Sequence, residues 1–312
     1  SNSPGPALRY IRGTMEVLWL AAAGLAPLVV APERLMMGPI EVPKVVLLRS
    51  IAALLLVLWA WEWATMGRAP PFGPRLSWWA RATQWLRNGP SGWIVVAAVA
   101  FLAANILSTV LSPMWRVSLW GREPGWDTYS LYSVATYIVL FLAVATHLSR
   151  REQLQRLLWV IVGAAVVASA YGIAQHFGFD PLRTSAETQG RVPSFFGNPI
   201  PVGSFLVMTI PVTLIVVLPY GQRMRPAAQV FVTAVLVAIQ FSAMIFTLSR
   251  GPWVGLGVGM LVFLVLAGAV LGRRLLAQAI AIVLMSLGVA AVITLIPTSG
   301  ANASASTSTA VL

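Results

Sequence analysis

Long apolar runs separated by short polar ones organise this chain. A helix needs about 20 predominantly apolar residues to cross a bilayer. Nine such runs, bounded by charge, proline or glycine, lie at 15–31, 42–63, 93–111, 129–146, 157–177, 199–218, 227–248, 253–271 and 275–296. The pattern predicts an all-α polytopic integral membrane protein with about nine transmembrane helices, forming one transmembrane domain over residues 1–296. The second run carries Lys44 and Arg49 near its start and Glu62 near its end, positions from which long side chains snorkel, while its centre from 51 to 61 is wholly apolar.

Composition agrees with embedding: 10% of the 312 residues are charged and 58% are hydrophobic, where a soluble domain carries about a quarter charged. The net charge of +12 does not describe a nucleic-acid footprint, because single and paired arginines alternate with apolar runs and form no clustered stripe. That spacing reads as topology. One alternating set of segments holds 13 cations: Arg9 and Arg12, four arginines in the connector 64–90, Arg150, Arg151 and Arg156, Arg223 and Arg225, and Arg273 and Arg274. The opposite set holds 7, among them Arg116, Arg191 and Arg250, together with acids such as Glu123, Asp127, Asp180 and Glu187.

Cytoplasmic loops are the ones enriched in Lys and Arg, so the amino terminus is predicted cytoplasmic. The loops 32–41, 112–128 and 178–198 are then outside, as is the tail 297–312, periplasmic or extracellular. The first run, preceded by basic residues, is read as a retained anchor and not as a cleaved signal, because further spans follow. The connector contains SWWARATQWLRN, which has the character of a short interfacial helix. The tail is small, polar and aperiodic and reads as the start of a loop. The absence of cysteine excludes disulfides, thiolate metal sites, iron–sulfur clusters and a cysteine nucleophile.

Polar chemistry inside the spans is sparse. Asn105 and Gln240 are the main polar residues at span centres, which argues against a proton relay. His147 and His176 lie at span ends on opposite predicted faces, where a structural interfacial role is favoured over catalysis. The outer loops offer more. Asn198 before Pro199 forms an N-cap with proline at the first helical position, and Arg250–Gly251–Pro252 opens the eighth span in a similar way. Both helices enter the membrane from outside, so their unpaired N–H groups and positive dipole ends face outward, with Arg191 and Arg250 nearby. If the two helices are neighbours, Arg191, Asn198, Arg250 and Gly251 form a candidate diphosphate site. Two plainer readings stand beside it: Arg250 snorkels, and Arg191 pairs with Glu187. The repeat Gly251, Gly255, Gly259 marks a face for close helix packing, and Trp115, Trp120 and Trp126 read as interfacial belt residues.

In order along the chain, the segments VPKVVLL, SLWGREPGWDTYSLY, ASAYGIAQHFGFDP, RVPSFFGNPIPVGSFL and TLSRGPWVGLGVGMLVFL resemble the O-antigen ligase and O-antigen polymerase superfamily. The resemblance covers about residues 41–271, and its last two segments are the most specific. It implies a membrane glycosyltransferase in the bacterial inner (cytoplasmic) membrane, with a polyprenyl-pyrophosphate-linked glycan as donor and a saccharide hydroxyl, free or lipid-linked, as acceptor. No metal and no cofactor are implied. By position, Arg191 and Arg250 are the implied catalytic residues, contacting the donor pyrophosphate. The family's large outer loop, with the histidine that activates the acceptor, is expected beyond Leu312, so the chain reads as the amino-terminal portion of a member, and neither His147 nor His176 takes that role. Ligase and polymerase are not distinguished. Two other classes stay open: a non-enzymatic subunit of a larger membrane complex, and a transporter of lipid-linked sugars, which the apolar span centres disfavour.

Overall fold

A computed structural model describes residues 6–31, 40–65, 90–121, 129–182, 190–220 and 226–296. Among them the regular structure is entirely helical: α1 (Pro6–Leu25), α2 (Glu41–Thr65), α3 (Pro90–Val110), the short α4 (Trp115–Trp120), α5 (Leu131–His147), α6 (Arg151–His176), a 3₁₀ turn (Ser194–Phe196), α7 (Pro199–Tyr220), α8 (Pro226–Phe246), α9 (Arg250–Leu271) and α10 (Arg273–Thr294). Seven of these, α2, α3 and α6 to α10, are long and apolar enough to cross a membrane. The chain is therefore a polytopic membrane protein.

Two of the nine expected spans take a different form. The run at 15–31 belongs to α1, which starts at Pro6, carries Arg9, Arg12 and Glu16 and ends at Leu25. The fourth run becomes α5, apolar but only 17 residues long. The SWWARATQWLRN stretch, Trp126, most of the connector and the tail 297–312 lie outside the described residues.

Contacts divide the chain into two compact units, one of residues 1–22 and 33–154, the other of 23–32 and 155–312. In the first unit, Ile11, Met15 and Trp19 of α1 pack with Ile51 and Leu55 of α2 and Ala143 of α5. The second unit is built on α7 and α8, whose Leu206, Ile210, Leu214, Val237 and Met244 are fully buried with Ile282 of α10. The outward surfaces remain apolar, as with Val254, Val258, Leu261 and Val265 along α9. A soluble fold does not leave such stripes in water, whereas lipid covers them without cost.

Several polar side chains on the spans are paired, Gln240 and Ser286 of the second unit among them, while Ser169 Oγ of α6 is buried without a partner. Gln240 accepts from the Thr209 hydroxyl at 3.1 Å and donates to that of Thr213 at 2.8 Å, and Ser286 donates to Ala234 O at 3.0 Å. Asn105 of α3 donates to Phe101 O, one turn back. These bonds remove the desolvation penalty of unpaired polar groups.

The first unit holds an ionic cluster that the apolar pattern does not announce. Glu62, 2% exposed, accepts from Arg12 Nε at 2.7 Å through one oxygen and faces His147 Nε2 at 2.8 Å through the other. Trp59 and Trp19 flank the imidazole, with ring centroids 5.6 and 6.3 Å from it. One carboxylate thus joins α1, α2 and α5. Breaking a buried ion pair by removing one member costs about 3 kcal/mol. Glu62→Ala is expected to lower stability by that order and Glu62→Gln by less, measured as thermal unfolding of the detergent-solubilised protein.

Candidate functional site

In the second unit four helix ends meet: the carboxy-terminal ends of α6 and α8 and the starts of α7 and α9. Asn198 Oδ1 accepts from Ile200 N at 2.9 Å and Pro199 occupies the first turn, so α7 begins where its capping residues dictate. The α7 and α9 starts are neighbours. A Cβ placed on Gly203 would lie 2.7 Å from Pro252 Cβ, so the absence of a side chain there permits the approach.

The expected packing face of Gly251, Gly255 and Gly259 behaves differently. Gly251 and Gly259 meet nothing within 4 Å of a built Cβ, and Gly255 reaches only Val207 at 3.9 Å. The close approach is made by Gly203 of α7 because the rigid proline ring, and not the glycine face of α9, is turned toward it.

Arg191 spans the turn between α8 and α9. Its Nε donates to Thr247 O at 3.0 Å and its Nη2 to Ser249 Oγ at 2.7 Å. Ser249 occupies the N-cap position of α9, yet its side chain makes no capping bond, since its hydroxyl accepts from Arg191 and donates to Thr247 O at 3.2 Å. The first-turn N–H groups of a helix have no intrahelical acceptor. By holding the capping hydroxyl, Arg191 leaves the start of α9 open to an outside acceptor. Gly251, with open space where a Cβ would stand, exposes that backbone.

Arg191, Ser249, Arg250, Gly251, Pro252, Leu248 and Ile200 line an open cleft of about 370 Å³. Arg250 is exposed at its mouth. Three of the four residues expected at a diphosphate site are thus brought together. Asn198 is not among the lining residues, and its carboxamide caps α7. Glu187, the alternative partner of Arg191, lies outside the described residues.

The loop that carries Arg191 is anchored by groups the apolar pattern left unread. Val192 N donates to Phe246 O at 3.1 Å. Ser194 N donates to Gln175 Oε1 at 2.8 Å, and Ser194 Oγ donates to Ala168 O at 2.6 Å. Asp180 accepts from Tyr171 and from Gln175 Nε2, which orients the Gln175 amide with its oxygen toward Ser194. Phe195 stacks on Tyr171 at 4.4 Å, and His176 stacks on Phe246 at 3.6 Å. His176 is thereby a packing residue.

Two non-glycine residues adopt left-handed backbone here, Ser194 at φ 49° and Leu248 at φ 48°. Each costs about 1 kcal/mol or more, and such strain persists only where surrounding bonds over-determine it. Leu248 lies between the two residues that Arg191 holds. The visible signal in sequence is Ser249, a good capping residue directly before a helix start.

No protein-family model matches the chain, and comparison with curated proteins and with solved structures finds no match.

Gln175→Ala removes the acceptor of a buried N–H, an effect of about 1–3 kcal/mol. It is expected to loosen the 190–198 loop, read as faster proteolysis there, while the rest of the chain stays protected. Gly203→Ala forces α7 and α9 apart against a rigid ring and is expected to cost about 1–3 kcal/mol in thermal stability, with an unchanged midpoint refuting the close contact.

Proposed function

We propose that this chain is the donor-binding part of a membrane glycosyltransferase of O-antigen ligase or polymerase type. In this reading the cleft faces outward from the bacterial cytoplasmic membrane and holds the diphosphate of a polyprenyl-pyrophosphate-linked glycan. The observation that carries it is the α9 start, whose capping hydroxyl is held by Arg191, with a second cation, Arg250, on the same cleft. An anion with several oxygens complements such a site: unpaired N–H groups, a positive helix end and two guanidinium groups all favour negative charge. The cleft opens at the end of apolar helices, where a lipid-linked phosphate presents its headgroup.

The chemistry follows from that placement. An acceptor hydroxyl attacks the anomeric carbon of the bound sugar, the carbon–oxygen bond to the diphosphate breaks, and the configuration inverts. The hydroxyl proton passes to a base that the described residues do not supply at this cleft. Polyprenyl diphosphate leaves with the electron pair of the broken bond on its oxygen, and that charge is stabilised by Arg191 and Arg250, whose positions are set in advance by the turn and the helix start. No metal ion is called for in this scheme. Saccharide or lipid-linked saccharide acceptors fit it, and the order of the sequence segments supports the family reading.

The test is binding of a short-chain polyprenyl diphosphate to the detergent-purified protein, alongside glycan transfer in cells carrying the whole gene. Arg250→Ala and Arg191→Ala are each expected to weaken binding about tenfold or more and to abolish transfer. Arg191→Lys does not restore it, because an ammonium lacks the fork that bridges Thr247 and Ser249. Unchanged binding in both alanine variants overturns the proposal. Binding without any transfer, together with copurification of a larger complex, favours the reading as a non-enzymatic subunit.

A further inference from the structure

Of the 21 cationic residues, Arg49 is the one that belongs to neither set of loops. It lies within α2, roughly 12 Å along the helix axis from Glu41 at about 1.5 Å per residue, inside a segment apolar enough to span the membrane. An ionised group at such a position is costly and ordinarily has a partner. Neither ion pair of Glu62 involves Arg49, and Arg49 forms none with a described carboxylate.

Its surroundings are instead neutral and hydroxyl-bearing. Nη2 donates to Ser133 Oγ at 3.0 Å, and the guanidinium carbon lies 4.3 Å over the Tyr132 ring. Nε is closed off and has no hydrogen-bond partner. A buried guanidinium N–H without an acceptor is costly. Ser130, which caps α5, lies 3.3 Å from the Ser133 hydroxyl, so the guanidinium sits beside the positive end of a 17-residue helix. Two positive features meeting without a counter-charge among the described residues favour an anion more strongly than either alone.

The approach to this place is apolar. Val46, one turn before Arg49 on α2, is exposed, as are Ser50, Ala53 and Val57 along the adjoining stripe. A molecule that reaches Arg49 along that surface does so from the hydrocarbon.

We propose that Arg49, with Ser133 and the start of α5, is a binding site for the phosphate of an anionic lipid. The phosphate oxygens take the guanidinium edge while the acyl chains lie along the exposed stripe of α2. The phosphodiester supplies the counter-charge, and a small rotation of the guanidinium gives Nε its acceptor. Tyr132 holds the cation in place from the opposite side.

Native mass spectrometry of the delipidated protein titrated with phosphatidylglycerol tests this. One tightly retained lipid is expected on the unaltered chain, with affinity about tenfold lower in Arg49→Gln. Arg49→Lys keeps the charge and removes the planar fork; it tests the site in a folded background and is expected to lie between the two. Inorganic phosphate added at the lipid's concentration is expected to leave the retained lipid in place. Equal retention by the unaltered chain and both variants overturns the proposal, and displacement by inorganic phosphate overturns the assignment to lipid. The readout is lipid retention alone, so its outcome is independent of glycan transfer.

Discussion

Arg191 donates to Thr247 O and to Ser249 Oγ across the turn between α8 and α9, and the character of that end of the second unit depends on those bonds. A serine directly before a helix ordinarily turns its hydroxyl back onto the first-turn N–H groups. Here the hydroxyl is taken by a guanidinium, and the helix start keeps its unsatisfied donors. The left-handed backbone at Leu248 is a consequence of the same grip, since the residues on either side of it are fixed. The Gln175 and Asp180 network holds the other end of the arrangement by anchoring Ser194, three residues beyond Arg191. Open donors on a backbone held by several hydrogen bonds are what the proposed anion site requires.

The bilayer imposes the complementary constraint. Polar groups at membrane depth must find partners within the protein, and Gln240, Thr209, Thr213 and Ser286 do so. They tie α7 to α8 and α8 to α10. Helix starts keep backbone donors that the helix itself cannot satisfy. The close contact of Gly203 with Pro252 brings two such ends together, and a cleft bordered by both starts is the result.

The first unit shows two treatments of ionised side chains on spanning helices. Glu62 has two basic partners and an aromatic surround, and it joins three helices. Arg49 has a hydroxyl and a ring, and neither carries the opposite charge. The desolvation penalty of a charge falls only when its field is answered. Glu62 is answered from within the unit, and Arg49 is the charge for which we propose an answer from the lipid.

Class and approximate spans were legible in the sequence because hydropathy is a property of each segment taken alone. A run of about 20 apolar residues has few alternatives to a membrane helix. The helix starts at Pro199 and Arg250 were equally local, being written in Asn198–Pro199 and Arg250–Gly251–Pro252. Local reading failed where charge interrupts the pattern: α1 starts at Pro6 and carries Arg9 and Arg12 within the helix, because helix formation does not require the apolar run to begin first. Glu62 was read as a snorkelling end residue, since its partners lie 50 and 85 positions away. Only the tertiary structure decided that Gly203, and not the glycine repeat of α9, makes the close approach, and that Ser249 leaves its helix uncapped. That second outcome is set by a residue 58 positions earlier in the chain. Sequence patterns report the preferences of neighbours; whether a capping hydroxyl stays with its own helix depends on which guanidinium the fold brings to it.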